Sequence, residues 1–536
     1  MFSTSMKLVF ILMILILTSC QGKNKKISNS IYFNIGGEPS TLSPLSSSDG
    51  YSQALHGYIL EGLLDRDLDT YEWKPALALE WKISADKKVF DFKLREGVKW
   101  HDGVELTAED IKFSYDVIFS DDYKAVQLRS YYEAIKEVQV IDKYNVRFIV
   151  SDDYFQNFDV AAQIQVLPRH FYSDPKNKKI FGKKLIGTGP YMFTKYDKGQ
   201  KIILIKNPNW WGNTAETEKG SWTIPKVVLR FSSEENVSLE LLKKGDIDFL
   251  GLQPDGFVKK TVGKIWDEKI VKVKAQNKAP KGFSFIAFNL KHPILKDLQV
   301  RKALSMLFNR HMMVEKFEYN LTEPATGPVY VQSDYANPDI KPVPYDPQDA
   351  LKILNAAGWK DSDKDGILDK VIAGKKTQLS FTILEPSQQM MKYLTVFKED
   401  ASKAGVDISI KNVEWNSFIK LLDERNFDSV RLAWGAGGVD WDPKQIWHSS
   451  SSAGTGSNFI GYSNKEVDRL IDQSRKIYEK ENRIPLLRRV HSLISADYPY
   501  IFFTNGKFTL YAHTKRVNKL KDTFNYGIGQ QYWTIK

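Results

Sequence analysis

Cysteine is all but missing. The 536 residues hold one, Cys20, so no disulfide forms within the chain and a dithiol redox site is excluded. Histidine is sparse too. The eight are dispersed, and there is neither a His-Glu-x-x-His helix nor a Gly-x-Ser-x-Gly elbow to supply a zinc peptidase or a serine nucleophile. Beyond residue 17 no stretch is apolar enough to cross a bilayer, which takes about 20 residues. The net charge is +11, yet no dense basic run is interleaved with aromatics. Lysines scattered along the whole chain describe a solvated surface, not a nucleic-acid footprint. No internal repeat is visible.

What is present is an ordinary globular composition, 42% hydrophobic and 26% charged, in a chain long enough for more than one core. Its start differs from the rest. Lys7 precedes the apolar run Leu8 to Leu17, which is too short for a membrane span, and the small residues Thr18 and Ser19 follow. That is the pattern of a signal peptide over 1–19. Leu17-Thr18-Ser19-Cys20 resembles a lipobox, which implies a lipidated Cys20 and a polar, lysine-rich tether over 20–30.

The most informative stretch is Trp81 to Tyr115. Phe90, Phe92 and Leu94 alternate with Asp91, Lys93 and Arg95, the two-residue period of a half-buried strand. Glu96-Gly97 and Asp102-Gly103 read as turns. A helix then starts behind Thr107 as cap, with Glu109 and Asp110 at its positive end and Ile111, Tyr115 and Ile118 on one face. Another helix runs behind Asp49 with Tyr51, Leu55 and Ile59 in register. Val138 to Val150 reads as a hairpin, Asp297 to Arg310 as one helix, and Asp346-Pro347 as the start of another that ends near Gly358. Strands at Leu379 to Leu384, Val406 to Val413 and Ser429 to Trp434 alternate with helices, which predicts a largely parallel sheet. Gly187-Thr188-Gly189 lacks the Gly-Lys-Ser/Thr ending of a phosphate loop and reads as a tight turn feeding a strand.

The string FKLREGVKWHDGVELTAEDIKFSY over 92–115, with GTGPY at 187–191 and DLQVRKALSMLFNR at 297–310, closely resembles the bacterial extracellular solute-binding proteins of family 5, the peptide-binding and related receptors of ABC importers. The resemblance covers nearly all of the mature chain. It implies an α/β, two-lobed periplasmic-binding-protein fold of the large cluster, with an extra subdomain and with hinge strands joining the lobes. The implied layout is 31–71 with 186–280 and 507–536 as the core of lobe I, 72–185 as its extra subdomain, and 281–506 as lobe II. It also implies a binding protein and no enzyme. His101 and Asp102, which look like a catalytic pair, then belong to the scaffold, and His170 is a surface residue.

In open sheets, ligands bind beyond the carboxyl ends of strands, which directs attention to the loop after Trp434. That loop carries Gly435, Ala436, Gly437, Gly438, Asp440, Trp441 and Asp442 before Pro443, and its glycines leave backbone open to close approach. In peptide-binding relatives an aspartate here pairs with the ligand's α-amino group. Asp440, three residues before Pro443, is the match, with Asp442 as the alternative, and Trp434, Gly435, Ala436 and Gly437 are the expected neighbours. The resemblance also implies that Trp415 lines a side-chain pocket and that Glu38, in Gly36-Gly37-Glu38-Pro39, stands on the cleft wall. Asp361, Asp363, Asp365 and Asp369 follow calcium-loop spacing, but Ile372 holds the position of the closing acid, so an acidic turn is expected and no metal site. The expected partners are an oligopeptide, an ABC permease with its ATPase, and a membrane reached through the lipid on Cys20. Neither cofactor nor nucleic acid is expected, and the chain is read as a monomer on the extracytoplasmic face of the cell envelope. The same fold carrying an oligosaccharide or a metal chelate, an envelope hydrolase, and an interaction lipoprotein stay open as alternatives.

Overall fold

The computed structural model describes residues 29–435, 437–454 and 456–536. The signal peptide, Cys20, nearly all of the tether, and Ala436 lie outside the described residues.

Three sheets organise the chain. A seven-stranded sheet runs in the order Ile270–Ala275, Thr509–Thr514, Phe249–Gly251, Ser30–Asn34, Lys226–Arg230, Lys201–Lys206, Tyr191–Asp197. Its core includes Ile31, Phe33, Leu204, Leu229 and Trp533. A six-stranded sheet runs Thr322–Pro324, Tyr500–Gly506, Phe283–Phe288, Ser429–Trp434, Ser380–Glu385, Asp407–Asn412. The third, four-stranded and antiparallel, is formed by Ala78–Ile83, Val89–Leu94, Asn145–Val150 and Ile135–Val140. We assign the first sheet to lobe I, the second to lobe II and the third to the extra subdomain. The chain passes from the first sheet to the second after Ala275 and returns near Lys507, where Asn505 Nδ2 donates to the Gly282 carbonyl at 3.2 Å and ties the two crossings together.

The alternating stretch behaves as its period dictates. Phe90, Phe92 and Leu94 are buried while their neighbours are not. Helix Ala108–Phe119 follows, with Thr107 N–H donating to Asp110 Oδ2 at 2.9 Å. Asp49 caps helix Gly50–Ile59 by accepting from Tyr51 N–H and Ser52 N–H. Two expectations fail. The lobe II sheet is mixed: Ser380–Glu385 is parallel to both neighbours, but Phe283–Phe288 is antiparallel to Ser429–Trp434 and to Tyr500–Gly506. The chain enters the lobe along Phe283–Phe288 and leaves along Tyr500–Gly506, so the two must oppose. The single helix over 297–310 is in fact two, Leu298–Met306 and Arg310–Lys316. Asn309 interrupts it by accepting from Met312 N–H with its side chain, a local bond that competes with helix continuation. Arg310 at the break is buried, its guanidinium donating to the carbonyls of Phe502 and Val343.

The turn at His101-Asp102-Gly103 and the glycine turn at 187–189 lock together. His101 Nε2 lies 3.0 Å from the Gly189 carbonyl, and Gly189 N–H donates to the carbonyl of Ile59 at 2.9 Å. A Cβ at Gly187 would stand 1.8 Å from that same Ile59 oxygen, so only glycine fits. Asp102 pairs instead with His170, at 2.8 Å. In the acidic loop, the carboxylates of Asp361, Asp363 and Asp369 converge, and the Lys376 ammonium sits 2.6 Å from Asp363 and 3.3 Å from Asp369, supplying the positive charge itself.

Candidate functional site

Two cavities stand out. The first, about 270 Å³, lies between the lobes and is lined by Arg66, Tyr71, Tyr131, Gln156, Asp159 and Asp440 among others. The second, about 450 Å³, is more apolar and belongs to lobe I, between Phe33, Tyr58, Leu68, Trp222, Phe249 and Ile528. One turn separates them: Arg66 and Tyr71 face the first cavity while Leu68 faces the second.

Asp440 arrives from the end of the lobe II strand Ser429–Trp434, and its carboxylate is 36% exposed. Oδ1 accepts from the Tyr335 hydroxyl and, at 2.9 Å, from Arg483 Nη2. No hydrogen bond from a described residue reaches Oδ2. Arg483 is almost wholly buried. It also donates to the carbonyls of Ile477 and Tyr478 and stacks on the Phe155 ring at 3.9 Å. On the facing wall Arg66 and Asp159 form a second pair at 3.0 Å, with Arg66 flat against Trp73. Burial pushes the Asp159 carboxyl above its ordinary range; Arg66 opposes this and the nearby Asp440 adds to it.

Asp442 plays a different part. Its side chain is 3% exposed, and it accepts from the Tyr154 hydroxyl at 2.7 Å beside Arg475 at 3.4 Å. It belongs to a buried seam between the extra subdomain and lobe II. In that seam Glu133 meets Lys444 at 2.5 Å and Arg475 at 3.6 Å, Arg475 donates to the Ser130 carbonyl, and Gln156 Nε2 donates to the Asp440 carbonyl.

The other expected residues divide. Gly435 and Gly437 are exposed, and a Cβ at either would meet nothing. Trp434 stacks on Phe285 and its indole donates to Tyr500 at 3.4 Å. Trp415 opens helix Trp415–Asp423, where Glu414 accepts from the N–H groups of Asn416 and Ser417. Its ring meets Tyr51 of the other lobe edge-on at 5.4 Å, over Gly36-Gly37, where a Cβ at Gly37 would come 2.3 Å from the Tyr51 ring. The Trp415 indole N–H is buried with no partner among the described residues. Glu38 lines neither cavity. Its Oε1 accepts from Tyr196 and from Gly199 N–H, fastening the edge hairpin of the seven-stranded sheet. Sequence reasoning missed Arg66, Tyr71, Asp159 and Arg483, which carry no motif and reach the site only through folding.

Two lobes bridged by paired crossings, with a charged cavity between them, define a binding protein of the periplasmic type. Comparison makes the class specific. The profile of the bacterial extracellular solute-binding proteins, family 5 (middle region), matches residues 72–457, and the chain belongs to that family. It is 29% identical over 477 residues to the oligopeptide-binding protein AppA of Bacillus subtilis, across 87% of this chain and 84% of that one. The solved structure of AppA in complex with a nonapeptide matches with a TM-score of 0.85 at 26% identity, covering 95% and 99% of the two chains. NikZ of Campylobacter jejuni, solved with Ni(L-His), shares the fold at a TM-score of 0.80 and 24% identity, over 95% and 100%. AppA is an oligopeptide-binding protein. Among the described residues of this chain no helix is long and apolar enough to cross a membrane.

Proposed function

We propose that this chain captures oligopeptides between its lobes, performs no chemistry on them and delivers them to an ABC permease with its ATPase. The observation that carries this reading is Asp440, a partly exposed carboxylate after the glycine-rich loop that lines an interlobe cavity and whose Oδ2 takes no hydrogen bond from a described residue. There it accepts an N–H from the amino end of the ligand. The exposed backbone of Gly435 and Gly437, free of side chains, suits strand-like hydrogen bonds that do not depend on ligand sequence. The apolar lobe I cavity takes side chains loosely. Closure about the crossings at 276–282 and 506–508 buries the ligand and completes the face a permease reads.

We further propose the lobe boundaries given above, removal of residues 1–19 and anchoring through lipidated Cys20 on the extracytoplasmic side. The peptide complex of AppA supports the cargo class. The test is native mass spectrometry of the untagged mature protein before and after mild denaturation. A heterogeneous set of released peptide masses is expected, whereas a sugar or metal-chelate mass, or no ligand and no shift on adding peptides, overturns the reading.

A further inference from the structure

The acids at the Asp440 end of the cleft are already neutralised by the protein. Asp440 is paired with Arg483 at 2.9 Å and Asp159 with Arg66 at 3.0 Å, so the two carboxylates that line the cavity meet two guanidiniums. Both pairs are held rigidly. Arg483 is fixed by two carbonyls and the Phe155 ring, and Arg66 by the Tyr71 carbonyl at 2.8 Å and the Trp73 ring. An ammonium arriving here would give up hydration and find no uncompensated negative charge in return. The remaining Asp440 oxygen asks only for an N–H, which an amide supplies as well as an amine. The rest of the lining is apolar or neutral: Leu128, Val160, Tyr131, Tyr132 and Gln163. At about 270 Å³ the cavity is several times the ~30 Å³ that one water takes in the liquid, which leaves room beyond Asp440 for an acyl group.

Building on the peptide-binding reading, we propose that this end of the cleft is a site for an uncharged amino terminus, and that the protein takes N-acylated oligopeptides as readily as free-amine ones. The Asp440–Arg483 pair sets this preference, with Arg483 as a positioning residue.

The test uses ligand-stripped, refolded mature protein offered a random nonapeptide library and the same library N-acetylated, with captured peptide quantified by mass spectrometry. Capture of the acetylated library within about threefold of the free-amine library is expected. Retention of free-amine peptides with acetylated ones excluded more than tenfold overturns the proposal while leaving the peptide receptor standing. Capture of neither library overturns both. Arg483→Met, checked for folding by its melting curve, should shift the preference at least tenfold toward free amines by exposing the Asp440 charge. An unchanged ratio in a folded Arg483→Met protein also counts against the proposal, and if that variant does not fold the wild-type comparison decides alone.

Discussion

Removing the Asp440 carboxylate strands a buried cation as well as deleting the proposed ligand contact. Asp440→Ala takes a charge-assisted acceptor from Arg483, worth about 1.5 to 3 kcal/mol, so urea unfolding of the ligand-free variant should show a loss of that order. The ligand-side loss is of similar size, roughly one to two orders of magnitude in Kd by titration calorimetry. Asp440→Asn, which keeps one acceptor oxygen, should lose less on both counts. Two other acids set a pH dependence. Burial pushes the Glu61 carboxyl up from 4.5 to about 7 against hydrogen bonds from Trp210, Thr188 and Trp211, and burial raises Glu385 to about 7 with Arg431 pulling back. Each keeps its proton in the folded state where the unfolded chain has lost it. Their contribution to stability is therefore full below about 4.5 and lost as pH rises toward about 7. Calorimetric melting of Glu61→Gln should match wild type near pH 4 and exceed it above pH 7. Curves that stay parallel across that range would sink the assignment.

At the level of elements, caps and close approaches carry the predictions. Asp49→Ala removes a cap that accepts from Tyr51 N–H, Ser52 N–H and the hydroxyls of Ser40 and Ser52, and should cost about 0.5 to 2 kcal/mol. Gly187→Ala drives a methyl into the Ile59 carbonyl and breaks the seat of the turn at His101, whose N–H donates to the Gly187 carbonyl. An overpacking penalty of about 1 to 3 kcal/mol is expected by urea titration. These elements were legible in the chain because their signals are local: Thr107 and Asp110 are one turn apart, and Phe90 and Phe92 lie two residues apart on one face. The break at Asn309 and the antiparallel pairing of Phe283–Phe288 were not. The first depends on a side-chain bond competing with the helix, and the second on where the chain enters and leaves its lobe.

For the molecule as a whole, the seam that joins Glu133, Tyr154 and Gln156 to Asp442, Lys444 and Arg475 is expected to set how readily the cleft opens. Arg475 is its centre, bonded to Ser130, flanked by Glu133 and Asp442, and lying over the Tyr154 ring at 3.9 Å. Replacing Arg475 with alanine removes about 1.5 to 3 kcal/mol of closure energy, a shift of roughly 10- to 150-fold in the closed-to-open ratio. Small-angle scattering of the ligand-free variant should show a larger radius of gyration than wild type. An unchanged radius would mean that the seam does not hold the lobes together.

The sequence by itself determined the family, the strand and helix positions flanking the cleft, and the loop after Trp434 from which Asp440 emerges. All of these rest on residues a few positions apart or on a contiguous string. Tertiary structure alone gave the two aspartates different surroundings, sending Asp442 into a seam with Tyr154, 288 residues away, and placing Asp440 on the lining of the cavity. It also supplied Arg483 and the Arg66–Asp159 pair, separated by 43 and 93 residues from their partners. The physical reason is that a carboxylate's role depends on which charges and how much water surround it, and those are set by chain crossings that no local period records.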